Sequence, residues 1–329
     1  MKSHSVVISL VVYNGEPYLK KCLESIHAQI YTDYSLVIVD NASIDNSREL
    51  IRQYGARATV IFQNENIGFS RAHNHVIRAS NSDFIFILNQ DCVLSPDYIE
   101  RCVAVLKEGD MRASVTGSLV RIDRLTNLSG NGMIDTLGLC IHRTFHIANI
   151  GSGLPIERIP KRPFQVFGVS ATAALYRRKS LADVAHHATQ EEYFDEDFFM
   201  YKEDVDLAFR LHHGGFSSWC EPRARGYHVR STESRLFVRA NPFINTRSYQ
   251  NHLLFLMKNM TWPLMWRYGL FIVLYEIAKI CYLAVWEPST LQTLSSAWKL
   301  RHKMKRKRPH NARYAHPLSF GCKAFPHAN

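Results

Sequence analysis

Short apolar runs alternate with stretches in which apolar positions recur every three or four residues through the first third of the chain. "SVVISLVV" (5–12) reads as a buried strand. "EPYLKKCLESIHAQI" (16–30) reads as an amphipathic helix with Leu19, Cys22, Leu23 and Ile26 on one face. The same pair of patterns returns as "SLVIVD" and "SIDNSRELIRQYG", the second stopped by Gly55, and again as "ATVIF" and "GFSRAHNHVIRAS". "DFIFILN" (83–89) is the next strand. Strands separated by single helices imply βαβ units and a parallel sheet, an α/β chain. The second half is more mixed. "SVTGSLV", "FQVFGVSATAALYRR" and "SSWCEPRARGYHV" read as extended, "EDVDLAFRLHHGG" as a short helix closed by Gly214-Gly215, and residues from 251 onward as helical and then basic.

The strand "FIFILN" runs straight into Gln90 and the carboxylate of Asp91. Burying an unpaired carboxylate costs several kcal/mol, so Asp91 needs a partner or a turn to serve. A turn reading is available, because Ser95-Pro96-Asp97 opens the following helical stretch. Asp40 and the Tyr13-Asn14 pair also end strands, however, and in parallel sheets ligands bind beyond the carboxyl ends of the strands. Three polar strand ends on one edge favour a site.

Charge adds a location more than a class. The net charge is +11, and eight of the basic residues lie between Lys299 and Arg313 with no acid among them, leaving +3 for the rest. The seven cysteines are scattered and never spaced as CxxC, which argues against a zinc ribbon or a disulfide framework and fits a reduced, cytosolic compartment. "MKSHSVVISLVVYNGE" lacks a small-residue cleavage site and reads as a first strand, not a signal peptide. No uninterrupted apolar stretch reads as a membrane span.

The first turn separates the phosphate-handling folds. "YNGEPY" has one glycine where a dinucleotide-binding domain needs G-x-G-x-x-G, and GxxxxGK[ST] is absent. Strand one ends on Tyr13-Asn14, not on the acids an aspartyl phosphatase needs, and the Gly/Arg-rich loop of a nucleotidyltransferase is missing. The motifs "VVYNGEPYLKKCLESI", "VDNASIDNS", "NENIGFSRAHN", "LNQD", "GVSATAALYRR", "FFMYKEDVDLAFRLHHGGF" and "YHVRSTES", in that order, resemble the family 2 glycosyltransferases over roughly residues 5 to 260. Within that family the pattern is most similar to bacterial rhamnosyltransferases that use dTDP-L-rhamnose.

The resemblance implies a GT-A fold over 1–250, with a nucleotide-sugar half at about 1–120 and an acceptor half at about 121–250, followed by a helical, membrane-associating and basic extension over 251–329. It implies an inverting transfer from a nucleotide-diphosphate sugar to a glycan or lipid-linked glycan, in cell-surface polysaccharide synthesis. It places Tyr13, Asn14, Glu16, Asp40, Asn66, Arg71 and Asn89 around the donor. Asp40 suits a nucleoside N–H or a ribose hydroxyl, the role the resemblance implies, with organising its own turn as the alternative. Asp45 suits holding the loop and starting a helix. Arg71 could reach a phosphate or lie on a solvated helix face. Asn89-Gln90-Asp91 occupies the place of the family's DxD motif, with Asn89 for the first acid. With His228, Asp91 implies a site for Mn²⁺ or Mg²⁺ that would offset charge on the departing diphosphate. His73 with His75, His186-His187 and His212-His213 lack acids at ligand spacing and read as surface or helix-face residues.

"YKEDVD" (201–206) crowds three acids into the first turn of a helix. The helix dipole favours one or two of them, at about 0.3–1 kcal/mol each. By the resemblance Asp204 is the general base for the acceptor hydroxyl and Glu203 positions the acceptor or orients its neighbour.

"WPLMWRYGLFIVLYEIAKICYLAVW" (262–286) is interrupted by Glu276 and Lys279 and reads as helical, lying on a membrane or packing on a partner. With the basic run behind it, the expected surface is anionic lipid at the inner face of the cell membrane, with a homo-oligomer left open. The rivals are a UDP- or GDP-sugar enzyme of the same fold, a nucleic-acid-binding protein using the basic run, and a non-catalytic scaffold. The aromatics precede the charges and are not interleaved with them, so no nucleic acid is expected. Asp91, Asp204 and His228 together speak against the scaffold.

Overall fold

The computed structural model describes residues 5–55, 57–123, 132–187, 191–229 and 242–308. Its first part runs β1 (Val6–Val12), α1 (Glu16–His27), β2 (Tyr34–Asp40), α2 (Ser47–Tyr54), β3 (Ala58–Phe62), α3 (Phe69–Ala79) and β4 (Phe84–Asn89). This is the alternation that the apolar pattern predicts. There follow β5 (Cys92–Leu94), α4 (Tyr98–Lys107), β6 (Arg112–Ile122), β7 (Ile134–Thr136) and the β8 (Leu139–Ile141)–β9 (Ile147–Asn149) hairpin. Then come β10 (Phe164–Val166), β11 (Ala173–Arg177), α5 (Arg178–Asp183), the two-residue strands β12 (His186–His187) and β13 (Glu191–Glu192), α6 (Glu203–His213) and β14 (Ser217–Val229). Three helices close the described chain: α7 (Pro242–Asn259), α8 (Trp262–Trp286) and α9 (Gln292–Arg306). Residues 230–234 of "YHVRSTES", and the end of the basic run including Arg313, lie outside the described residues.

The main sheet has the order β10-β14-β6-β11-β4-β1-β2-β3, with β5 on β14 and β7 on β6. Pairs β1–β2, β2–β3, β1–β4 and β6–β14 are parallel, and β11 is antiparallel to both its neighbours. Strand β1 is apolar apart from Ser9, whose hydroxyl lies 2.7 Å from buried His73, and β4 is apolar from Phe84 to Leu88, because both faces are covered. Ile8, Leu10, Phe84, Phe86 and Leu88 join the cluster that includes α1 and α4. Val7, Ile85 and Ile87 join the one that includes α3 and α6.

"FQVFGVSATAALYRR" is not one extended element. Phe167 N–H and Gly168 C=O pair with Leu139, and Thr172 C=O accepts from Asn89 N–H, so the chain crosses the end of β4 before β11 begins. A third cluster joins α6 to the C-terminal helices through Phe209, Phe255, Leu264, Tyr268 and Met304. There the rings of Phe209 and Phe255 meet edge to face at 5.4 Å. The extension therefore shares a core with the helix that carries Glu203 and Asp204.

Helix α8, although its apolar run is interrupted in the sequence, is by length and composition long and apolar enough to cross a bilayer. It is 25 residues long, and its most apolar window has a mean hydropathy of 1.7. Glu276 and Lys279 interrupt the apolar run in sequence without interrupting the helix.

Candidate active site

The register sets the polar strand ends side by side: Val12 pairs with Asp40, and Val11 with Asn89. Above them two loops are sewn together. Asn14, at a φ of 49°, donates its N–H to Ser43 Oγ at 3.0 Å and accepts Ile44 N–H on Oδ1 at 3.0 Å. Glu16 accepts from the Asn46 amide at 2.7 Å, and Asp45 accepts the N–H groups of Glu16 and Ser47 at 3.0 Å each. Asp45 thus holds the loop, as its position suggests. Tyr13 is exposed, with its N–H and C=O both bonded to the Gln90 amide at 2.9 and 3.0 Å.

Asp40 is fully buried and accepts from Arg48 Nε at 2.7 Å and Ser43 N–H at 3.3 Å. Its turn-organising bonds are therefore made, and Arg48 is a partner that the sequence reading did not include. Asn41 ties β2 to the "NENIGF" loop through Ile67 N–H and Gly68 C=O, while Asn66 Oδ1 accepts Gly68 N–H at 3.0 Å. Arg71 forms an ion pair with Glu196 at 3.0 Å, so its half-exposed guanidinium is already engaged.

On the other side of β4, Asp91 Oδ2 lies 3.4 Å from His228 Nε2, and the opposite ring nitrogen lies 2.8 Å from Asp135 Oδ2. Burial pulls the His228 pKa down, but the two carboxylates outweigh it and lift it to about 9. Asp91 Oδ1 is buried with no hydrogen-bond partner among the described residues. A carboxylate and an imidazole thus converge on one point that favours positive charge, and this donor set fits a divalent cation such as Mn²⁺ or Mg²⁺. Asp135, in β7, was missed by sequence reasoning. It sits 93 residues from His228 inside "IDT", with no motif to mark it. Fixing a ligand histidine through its second nitrogen is a common device of metal sites.

Glu203 and Asp204 open α6. Burial, and then the neighbouring Asp204, push the Glu203 carboxyl up to about 8. Burial also raises Asp204, against hydrogen bonds from Ala171 N–H at 3.3 Å and Val205 N–H at 2.8 Å. Thr172, next to Ala171, accepts Asn89 N–H at 2.9 Å, so one short segment touches both the end of β4 and the Asp204 carboxylate.

Two expectations need correction. His186 does have acids at ligand distance: its ligand atom and those of Asp195 and Asp206 all lie within 4.8 Å of one another. Spacing along the chain could not reveal this, because the acids arrive from other elements. The position is already filled by a cation, since Lys258 Nζ lies 2.6 Å from Asp195 and 2.8 Å from Asp206. The basic run is likewise not all turned outward. Lys303 and Lys307 pair with Asp197, and Lys307 also reaches Glu192 and Asp195, while Lys299, Lys305 and Arg306 stay exposed.

Comparison with known proteins bears on this geometry. The family profile described as Glycosyl transferase family 2 matches residues 5–185. Chondroitin synthase of Escherichia coli is 32% identical over 130 residues, 39% of this chain and 19% of that protein. Poly-beta-1,6-N-acetyl-D-glucosamine synthase of Staphylococcus aureus (strain COL) is 25% identical over 222 residues, 67% of this chain and 48% of that protein. The matched segments span less than half the length of either relative. Among solved structures, GalNAc-T7 with UDP, GalNAc and Mn²⁺ superposes with a TM-score of 0.58 at 11% identity, covering 78% of this chain and 48% of that one. The mannosyltransferase PcManGT from Pyrobaculum calidifontis, in complex with GDP-Man and Mn²⁺, gives 0.55 at 16% identity over 92% and 76%. At these identities the structures establish the fold, an α/β fold of GT-A type with helices appended at the C-terminus.

Proposed function

The chain belongs to glycosyl transferase family 2 and is a glycosyltransferase, and from that premise we propose that it transfers one sugar with inversion from a nucleotide-diphosphate donor to a growing surface glycan. The observation that carries the reading is that one short segment, Ala171–Thr172, hydrogen-bonds both Asp204 and Asn89, two residues before the Asp91 that pairs with His228. The two carboxylates of α6 divide their roles by environment. Glu203, at about 8, holds its proton near neutral pH, which leaves Asp204 as the ionised partner and the base for the acceptor hydroxyl. The alkoxide character developing on that oxygen attacks the anomeric carbon from the face opposite the diphosphate, and the proton passes to Asp204.

Asp91 and His228 would hold the divalent cation, Mn²⁺ or Mg²⁺, with Asp135 fixing the imidazole. Such an ion stabilises negative charge on the leaving diphosphate. Two structures of the same fold, GalNAc-T7 and PcManGT, were solved with Mn²⁺ and UDP or GDP-Man, which supports a divalent cation in the reading. Tyr13, Asn14, Glu16, Asp40, Asn66, Arg71 and Asn89 would line or support the donor site. With Asp40 and Arg71 already ion-paired, their share is to hold the loops in place. The donor we propose is dTDP-L-rhamnose, on the order and spelling of the seven motifs. A panel of dTDP-, UDP- and GDP-sugars, read by donor hydrolysis and by thermal stabilisation, tests it. A response confined to a UDP- or GDP-sugar overturns the rhamnosyl assignment and keeps the enzyme class.

The acceptor we propose is lipid-linked, at the inner face of the membrane. Trp262, Trp266, Leu270, Leu274, Ile277, Cys281 and Val285 recur every three or four residues along α8, and all are exposed. Tyr275 and Glu276 point the other way. Glu276 accepts from Tyr249 at 3.0 Å and lies 2.7 Å from His252, and Tyr275 lies 3.2 Å from His146. A helix with an apolar outer face, whose opposite face packs into the core through Leu264, Tyr268 and Ile272 and carries these polar contacts, fits the plane of a lipid surface. Spanning would strip these inner contacts from the protein. Lys299, Lys305 and Arg306, exposed on the neighbouring α9, favour anionic lipid.

A further inference from the structure

The turn that delivers Glu203 and Asp204 has an unfavourable backbone. Phe199, Tyr201 and Lys202 have φ values of 61°, 71° and 65°, a region in which a side chain crowds its own carbonyl, and none of the three is glycine or asparagine. A turn of this kind persists only where its surroundings hold it. The holder comes from α7. The fully buried Asn251 places Nδ2 2.8 Å from each of the carbonyl oxygens of Phe198, Met200 and Tyr201, so the two N–H protons of one amide serve three acceptors. From the opposite side, Phe199 C=O accepts Phe69 N–H at 2.8 Å and Ser70 N–H at 3.2 Å. Its ring lies against Gly68, where an added Cβ would come within 2.5 Å of it.

The same face of α7 meets α6 two turns later. Lys258 donates to Asp206 Oδ2 at 2.8 Å, and Asn259 donates to Oδ1 at 2.9 Å. Helix α6 is thus also held at Asp206, whereas the hydrogen bonds of the Asn251 amide go to the turn.

We propose that Asn251 is a positioning residue for transfer: by clamping the carbonyls of Phe198, Met200 and Tyr201 it sets the direction in which Asp204 leaves the start of α6. This rests on the assignment of Asp204 as the base. Misplacing a reacting group by about 1 Å can cost about 100-fold in rate. The extension then takes part in the chemistry through a single amide.

The test uses the full chain with Asn251→Leu, close in shape without donors, and Asn251→Ser, a milder change for use if the first fails to fold. Hydrogen exchange should rise at least about tenfold at the amides of 199–204 and stay unchanged in β1 and β4, whose hydrogen bonds are remote from the clamp. With nucleotide sugar and acceptor, kcat should fall about 10- to 100-fold while the donor KM stays within about twofold. Unchanged exchange in the turn, or a raised KM at normal kcat, overturns the proposal. A loss of rate that only tracks the fraction unfolded in urea does so as well. A wild-type protein that transfers nothing from any donor sinks the functional reading instead, and the exchange measurement still decides whether Asn251 holds the turn.

Discussion

Replacing Glu203 with glutamine should stabilise the protein, and only above mildly acidic pH. The side chain is 6% exposed, and its Oε2 has no hydrogen-bond partner among the described residues. Burial, and then the charge of Asp204, raise its pKa from 4.5 to about 8. In the unfolded chain it titrates near 4.5. Between these values the folded state keeps a proton that the unfolded state releases, so this group's contribution to stability falls as pH rises from about 4.5 to about 8. At 1.36 kcal/mol per pH unit the whole window corresponds to about 5 kcal/mol, a ceiling. Because Glu203 and Asp204 titrate as a pair, about half of that, 2–3 kcal/mol, is the expected difference. Glu203→Gln keeps the shape and removes the titration. Urea unfolding at pH 5 and pH 8.5 should therefore give nearly equal stabilities at the lower pH. At the higher pH the variant's midpoint should rise by about 1 M, for a slope of 1–3 kcal/mol per M. A pH-independent difference, or a wild type more stable at pH 8.5, would refute a protonated, buried Glu203.

Asp204→Asn should preserve donor affinity and lower transfer by at least about 100-fold, since an amide cannot take the proton; turnover within tenfold of wild type would shift the base to Glu203. Asp135→Asn should weaken Mn²⁺ affinity, measured by calorimetry with the nucleotide diphosphate present, by about 10- to 100-fold; unchanged affinity would remove Asp135 from the site's support. Truncation after Ala297 deletes Lys303 and Lys307 and their bonds to the 192–197 segment. It should therefore lower the melting temperature as well as weaken sedimentation with anionic vesicles, whereas a purely lipid-facing tail would leave melting unchanged. Trp266→Ser with Leu270→Ser, both on the outer face of α8, should reduce vesicle binding at high salt without altering melting; undiminished binding would place the lipid contact elsewhere.

The alternating first half was legible in the sequence because local rules decide it. A strand covered on both faces, such as β4, must be apolar throughout, and a helix packed on one side must repeat its apolar positions every three or four residues. The ends of those strands announced Asp40 and Asp91 for the same reason, since a polar group at the close of a buried strand needs a purpose. Glu203 and Asp204 were visible because three acids are more than one helix terminus requires. Nothing local marks Asp135, Asn251 or Lys258. Asp135 became the partner of His228 only when β7 paired with β6, itself the parallel neighbour of the strand that carries the histidine. Lys258 became a buried counterion when α7 packed over α6 and met Asp195 and Asp206. Lys303 and Lys307 followed the same course, leaving the basic run for acids about a hundred residues earlier. Sequence patterning records which face of an element must leave water, whereas the pairing of buried polar groups depends on which elements meet, and only the assembled fold determines that.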